Sequence, residues 1–314
     1  MAATVAIAAT FAAIAASSSP AATPVGSTGA TGASGVTGAT GPVITTGPVA
    51  AIGSVVITRA QFDHWITVAN DDGRTTGKPA PAVPVPPDYT DCISSLRSEP
   101  AQAGATDAAL EQLCAARYQT LVFDVMTFLI QAVWIEGEAN ARNVSVTPGQ
   151  INASYALQRR TAKPSLATAS ELTNFLAKSG QTRPDLKWRT RLNLLAGAIV
   201  RKVVRRAEHV SAAQISAYYA AHRSTYAGKS LRAASSEIRK VIAATQSVRA
   251  ENKLHMRYTN LWRGRTICLS GFDSSTSCAR GAASVAANPA AKYPGTIVAP
   301  PSATQTLAFP TTSG

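Results

Sequence analysis

Downstream of Val144 the chain sets out one helix start after another. A Ser or Thr at the cap accepts from an orphan first-turn N–H, and a Gln or Glu three positions later reaches back to it. Thr147 with Pro148 and Gln150 opens a segment containing Ile151 and Tyr155; Thr168 with Glu171 opens one containing Leu172, Phe175 and Leu176. Thr182 opens a third, with Trp188, Leu192, Leu195, Ile199 and Val203 on one stripe, and Ser211 with Gln214 opens QISAYYAAHRSTY. Lys178, Ser179 and Gly180 supply the turn between the second and third.

Two longer periodic segments flank this series. From Thr106 to about Asn140, Leu110, Cys114, Tyr118, Leu121, Val125, Phe128 and Ala132 recur at three and four residues, the spacing of one helix face. From about Ser230 to Trp262, Leu231, Ile238, Val241, Val248, Tyr258 and Leu261 do the same. A helix cannot hide its own apolar stripe, so this last one is expected to dock on the earlier helices. The expected fold is mainly α.

The beginning of the foldable region differs. VAAIGSVVIT is β-branched and short like a strand, and Thr58 with Gln61 makes a capping box for RAQFDHWITVAN. The prolines between Pro79 and Pro87 then exclude helix and central strand, so an exposed, semi-rigid excursion is expected there.

Outside about Val49 to Arg280 the chain is rich in Ala, Gly, Ser, Thr and Pro and holds few large apolar side chains, too few to build a core. Residues 1–23 read as an export signal, with an apolar run from Met1 to Ala16 and small residues after it. That run falls short of the about 20 residues that span a bilayer, and no other stretch comes closer, so a membrane-spanning chain is not expected. Residues 24–48 read as a tether. Gly26, Gly29, Gly32, Gly35, Gly38 and Gly41 recur every third residue as in collagen, but with only Pro42 to stiffen them. The expected organisation is a helical domain over 49–227, a helix and disulfide loop over 228–280 that complete it, and a tail over 281–314.

Four cysteines, Cys92, Cys114, Cys268 and Cys278, show no metal-ligand spacing. Behind an export signal they read as disulfides, and local pairing of Cys92 with Cys114 and Cys268 with Cys278 is expected among the three possible connectivities. Thirty Lys and Arg against 17 Asp and Glu give a formal charge of +13, which favours anionic polymers, anionic lipid surfaces or acidic clients. The densest basic cluster comprises Arg183, Lys187, Arg189, Arg191, Arg201, Lys202, Arg205 and Arg206, accompanied by Asp185. It is either a solvated face or an anion-binding one. Nucleic acid is the weakest partner for an exported chain, and the nearby Trp188 and Phe175 fit a core stripe better than a base-stacking platform.

No nucleophile elbow, zinc helix or dinucleotide fingerprint occurs, and no cofactor is expected. Gly73, Gly77 and Lys78 are a phosphate loop one residue short with no Ser or Thr after the lysine. His64, His209, His222 and His255 form no close pair and read as packing or surface residues. Asp63, Asp124, Glu136 and Glu138 read as charged helix faces rather than acid/base pairs.

The ordered series VVITRAQFDHW, FLIQAVWIEGEANARNVSVTPGQI, FLAKSGQTRPDLKWRTRLNLL and VSAAQISAYYAAHRSTY, with WRGRTICLSGF near the end, resembles the SurA-type N-terminal chaperone domain of bacterial extracytoplasmic parvulin foldases. The resemblance covers about Val49 to Tyr226. It implies a hairpin before the first helix, here around Gly53 and Ser54, and a late helix that returns to complete the chaperone module. In that family a prolyl-isomerase domain normally follows the helix ending near Tyr226. Here only Ala227, Gly228, Lys229 and Ser230 precede Leu231, against the ~50 residues that a minimal domain requires.

The resemblance implies a holdase that binds unfolded or extended polypeptides outside the cytoplasm, without an isomerase site of its own. Its apolar lining would come from a pool comprising Phe62, Trp65, Phe128, Trp134, Tyr155, Trp188, Tyr218, Tyr219, Tyr258 and Trp262, most of which are expected to fill the core. The competing expectations are residual peptidyl-prolyl isomerisation and a basic module that grips anionic envelope polymers.

Overall fold

A computed structural model describes residues 47–71, 82–102 and 104–279. The expected export signal, the tether up to residue 46, the phosphate-loop likeness, the first prolines of the excursion and the tail lie outside the described residues. Among the described residues the protein is mainly α, with eight α-helices and a three-stranded antiparallel sheet.

Strand β1 (Pro48–Ile52) turns through Gly53 and Ser54 into β2 (Val55–Thr58). Gly53 takes a left-handed φ of 59°, which glycine adopts at no steric cost. Thr58 ends β2 and caps α1 (Arg59–Asp71): its Oγ1 accepts from the Gln61 backbone N–H, and Gln61 Oε1 accepts from the Thr58 N–H. After the proline excursion come α2 (Thr90–Arg97) and the 35-residue α3 (Asp107–Ala141). Helix α2 begins soon after Pro87, over residues to which the sequence reading assigned no element. The Cys92–Cys114 disulfide fastens it to α3.

Each cap read from the sequence is in place. Thr147, Thr168, Thr182 and Ser211 head α4 (Pro148–Thr161), α5 (Ala169–Ser179), α6 (Arg183–Ala207) and α7 (Ala212–Ala221), all with reciprocal capping boxes. Ser230 caps α8 (Leu231–Arg263), which runs into β3 (Thr266–Cys268). Strand β3 pairs with β1 on the side opposite β2, so the end of the chain closes onto its beginning. The sequence reading had only a disulfide loop here; Cys268–Cys278 does bond, but a three-residue strand precedes it.

Helix α3 is the central element, packed by α1, α2, α6 and the sheet. It is long and apolar enough to cross a bilayer, which corrects the expectation that no other stretch approaches that length. Two-thirds of its most apolar window is buried in the protein, the pattern of a core helix. Trp65, Phe128 and Trp188 form a mutual aromatic cluster between α1, α3 and α6, with centroids 4.8 to 5.6 Å apart.

Helix α8 serves two cores. Ala234 and Ile238 join Val210, Ile215 and Tyr226 in a small cluster with α7, while Leu254, Tyr258 and Trp262 pack on the main core. At 100° per residue these two faces lie about 140° apart around the helix. The stripe expected to dock as one is therefore split. Ile238 and Tyr258 are packed, whereas Leu231, Val241, Val248 and Leu261 are exposed.

The disulfides close loops of 22 and 10 residues. By chain entropy each contributes about 3 kcal/mol. Cys268→Ser with Cys278→Ser is expected to lower the unfolding free energy by about that amount in urea titrations followed by circular dichroism. A loss below about 1 kcal/mol would show that β3 is held without the cross-link.

Candidate functional site

Residues Glu136, Gly137 and Glu138 lie near the end of α3, and all three are buried. Two residues apart on a helix is about 200°, so the two carboxylates point to opposite neighbours. Glu136 receives Arg191 of α6 in a bidentate pair, with Nε and Nη2 donating at 2.8 and 2.9 Å. Glu138 accepts from Trp262 Nε1 of α8 at 2.9 Å and from Arg142 Nε at 2.6 Å. The Trp262 ring lies over Gly137, where an added Cβ would stand 2.0 Å from its Cη2. Burial, with the Glu138 carboxylate adding to it, pushes the Tyr258 phenol far above its ordinary range. Glu136 and Glu138 were expected on charged helix faces; the structure buries them in the joint of α3, α6 and α8.

A cationic groove opens where α3 ends. Asn143 takes a left-handed φ of 53° and Val144 N–H returns to the Ala139 carbonyl, which stops the helix. Lys202 of α6 donates to the carbonyls of Arg142 and Asn143, as cations do at helix C-termini. Arg142 lines two adjoining hollows. One, of about 330 Å³, is also lined by Lys202, Val203 and Arg206; the other, of about 480 Å³, by Glu138, Arg257, Tyr258 and Leu261. The first has no acidic side chain in its wall. The second has Glu138, whose two oxygens are held by Arg142 and Trp262.

The eight basic residues expected as one patch are divided by the fold. Arg191 is committed to Glu136, and Arg189 donates to Gln181 Oε1 and lies over the Phe128 ring. Lys187 lies over the Tyr155 ring, and Lys202 caps α3. Arg183, Arg201, Arg205 and Arg206 are exposed, and of these Arg206 reaches the groove. Arg142 and Arg257 were missed. Nothing in the sequence marks Arg142, but Arg249, Lys253 and Arg257 stand at i, i+4 and i+8 on α8 and all are exposed, a basic row legible from spacing.

The apolar candidates divide in the same way. Phe62, Trp65, Trp134, Trp188 and Trp262 are core residues, all buried, and line no surface. Tyr155, Tyr218 and Tyr219 are half-buried. Tyr219 donates its hydroxyl to the Lys229 carbonyl at 2.6 Å, and Tyr218 stacks on His222 at 4.0 Å. Met256 and Val248 of α8, 61 and 58 % exposed, are the most open large apolar side chains of the described residues.

His64, read as packing or surface, is buried with Nε2 3.0 Å from Asp185 Oδ2, and so joins α1 to the α6 cap. Asp63 is exposed beside Arg59, and burial raises the Asp124 carboxyl. Among the described residues no group of His, Cys, Asp and Glu is arranged to hold a metal ion. The two disulfides fit an oxidising compartment.

Comparison of the chain with protein-family models, with curated proteins and with solved structures finds no match.

Proposed function

We propose that this protein is an extracytoplasmic, chaperone-like module that holds unfolded or extended polypeptide along the outer face of α8, without an isomerase site of its own. One observation carries the reading. Val241, Val248 and Met256 lie on the side of α8 that faces α7 further up, at about 0°, 340° and 60° around the helix, with Ala234 and Ile238 at about 20° and 60°. Helix α7 covers the upper part of this stripe and leaves the lower part open. An apolar row left uncovered beside a covered one suits a second, exchangeable segment.

The strand pair, the series of capped helices and the late helix that returns to the first elements support the resemblance to the SurA-type chaperone region. The disulfides and the N-terminal apolar run support export. The test is light scattering of a chemically unfolded client. The protein is expected to slow aggregation, and Val248→Asp with Met256→Asp to remove most of that effect while the melting temperature holds. Equal suppression by the variant would sink this placement, and no suppression by the parent protein would sink the holdase. Proline-peptide isomerisation is expected at the uncatalysed rate.

A further inference from the structure

We infer that the groove at the end of α3 binds carboxylate-bearing stretches of extended polypeptide, which makes acidic, apolar segments the preferred clients; this rests on the polypeptide-holding reading above. Arg142 is the centre. Its Nε is held by Glu138, a contact that orients the guanidinium; among the described residues its two Nη groups have no hydrogen-bond partner, and its side chain lines both hollows and is 33 % exposed. Arg206 stands across one hollow and Arg257 across the other. Among the described residues neither makes an ion pair, and both sit at exposed helix positions. A guanidinium presents parallel N–H donors that match a carboxylate bidentately, so such a wall selects planar anions.

The groove is joined to the apolar row. Arg249, Lys253 and Arg257 run about 12 Å along α8 beside Val248 and Met256, and Arg257 delivers the row into the second hollow, next to Leu261. A ligand that follows both features must alternate or adjoin apolar and anionic groups along one chain. An acidic polypeptide does so. A phosphate polymer has nothing to place on Val248, Met256 and Leu261, and a lipid surface is too flat to reach Arg142, two-thirds of whose side chain is covered.

Fluorescence anisotropy on the whole protein tests this with a labelled Glu/Leu peptide and its matched Gln/Leu peptide, at low and high salt. The Glu/Leu peptide is expected to bind about tenfold tighter, the equivalent of one charge-assisted contact, with the preference shrinking at high salt. In Arg206→Gln with Arg257→Gln the ratio of the two affinities is expected to fall towards one, and circular dichroism checks the fold. Equal affinities in the parent protein, or an undiminished ratio in the variant, would overturn the groove while leaving the holdase standing. Binding of the Glu/Leu peptide alone would support the groove and confine the holdase to acidic clients; binding of neither would remove both. Displacement of the peptide by sodium polyphosphate or by phosphatidylglycerol vesicles at lower concentration than by unlabelled peptide would overturn the assignment in favour of phosphate.

Discussion

Trp262→Ala is expected to lower the unfolding free energy by about 3–5 kcal/mol, the largest effect of any single truncation in α8. The indole is fully buried, and it is the larger of the two bulky side chains of that helix, with Ile238, to reach the interior so completely. Its removal opens a cavity above Gly137 that the backbone of α3 is too rigid to fill, and takes one of the two donors from the buried Glu138 carboxylate. Trp262→Phe separates these contributions, since it keeps most of the ring and loses the donor; a loss of about 1–3 kcal/mol is expected. Gly137→Ala probes the same contact from the other side. With three indole atoms within 2.7 Å of the new Cβ, the ring must move, and a loss of about 1–3 kcal/mol follows from overpacking. Denaturant titration measures all three. If Trp262→Ala changed stability by less than about 1 kcal/mol, α8 would not be fastened to α3 through this joint.

Arg191→Met is expected to destabilise by about 3 kcal/mol, at the low end for a broken buried pair because Arg191 keeps some contact with water. Glu136 is 1 % exposed, and among the described residues no cation other than Arg191 bonds to it. The side chain that is removed matters less than the charge left behind. Arg191→Met combined with Glu136→Gln should therefore recover most of the loss, because both partners of the pair are then uncharged. Additive losses in the double variant would mean that packing of the Arg191 stem, rather than the buried charge, holds α6 on α3.

The local signals survive folding because they are local. Thr147 and Gln150, or Thr168 and Glu171, satisfy one another within three residues, so their geometry needs no partner elsewhere. The same holds for the disulfides, each of which closes a short loop onto an adjoining element. The mainly helical class, the helix order and both cross-links were accordingly legible in the amino-acid sequence. The short α2 was not, since the prolines before it obscured a helix that is also pinned through Cys92.

The candidate site was legible only in part. Eight basic residues on α6 read as one patch, yet a helix shows different faces to different neighbours, and Arg191, Arg189, Lys187 and Lys202 are drawn into contacts with α3, α4 and the loop before α6. Arg142 and Arg257 enter the groove because α3 stops where α6 and α8 cross it, a meeting of residues more than 100 positions apart in the case of Arg142 and Arg257. Periodicity says which side of a helix is apolar but carries no information about which neighbour covers it. Hence the rotation of the buried face along α8, the burial of Glu136 and Glu138, and the pairing of β3 with β1 belong to the tertiary structure alone, while the caps, periods and cysteine spacing that make the helices belong to the sequence.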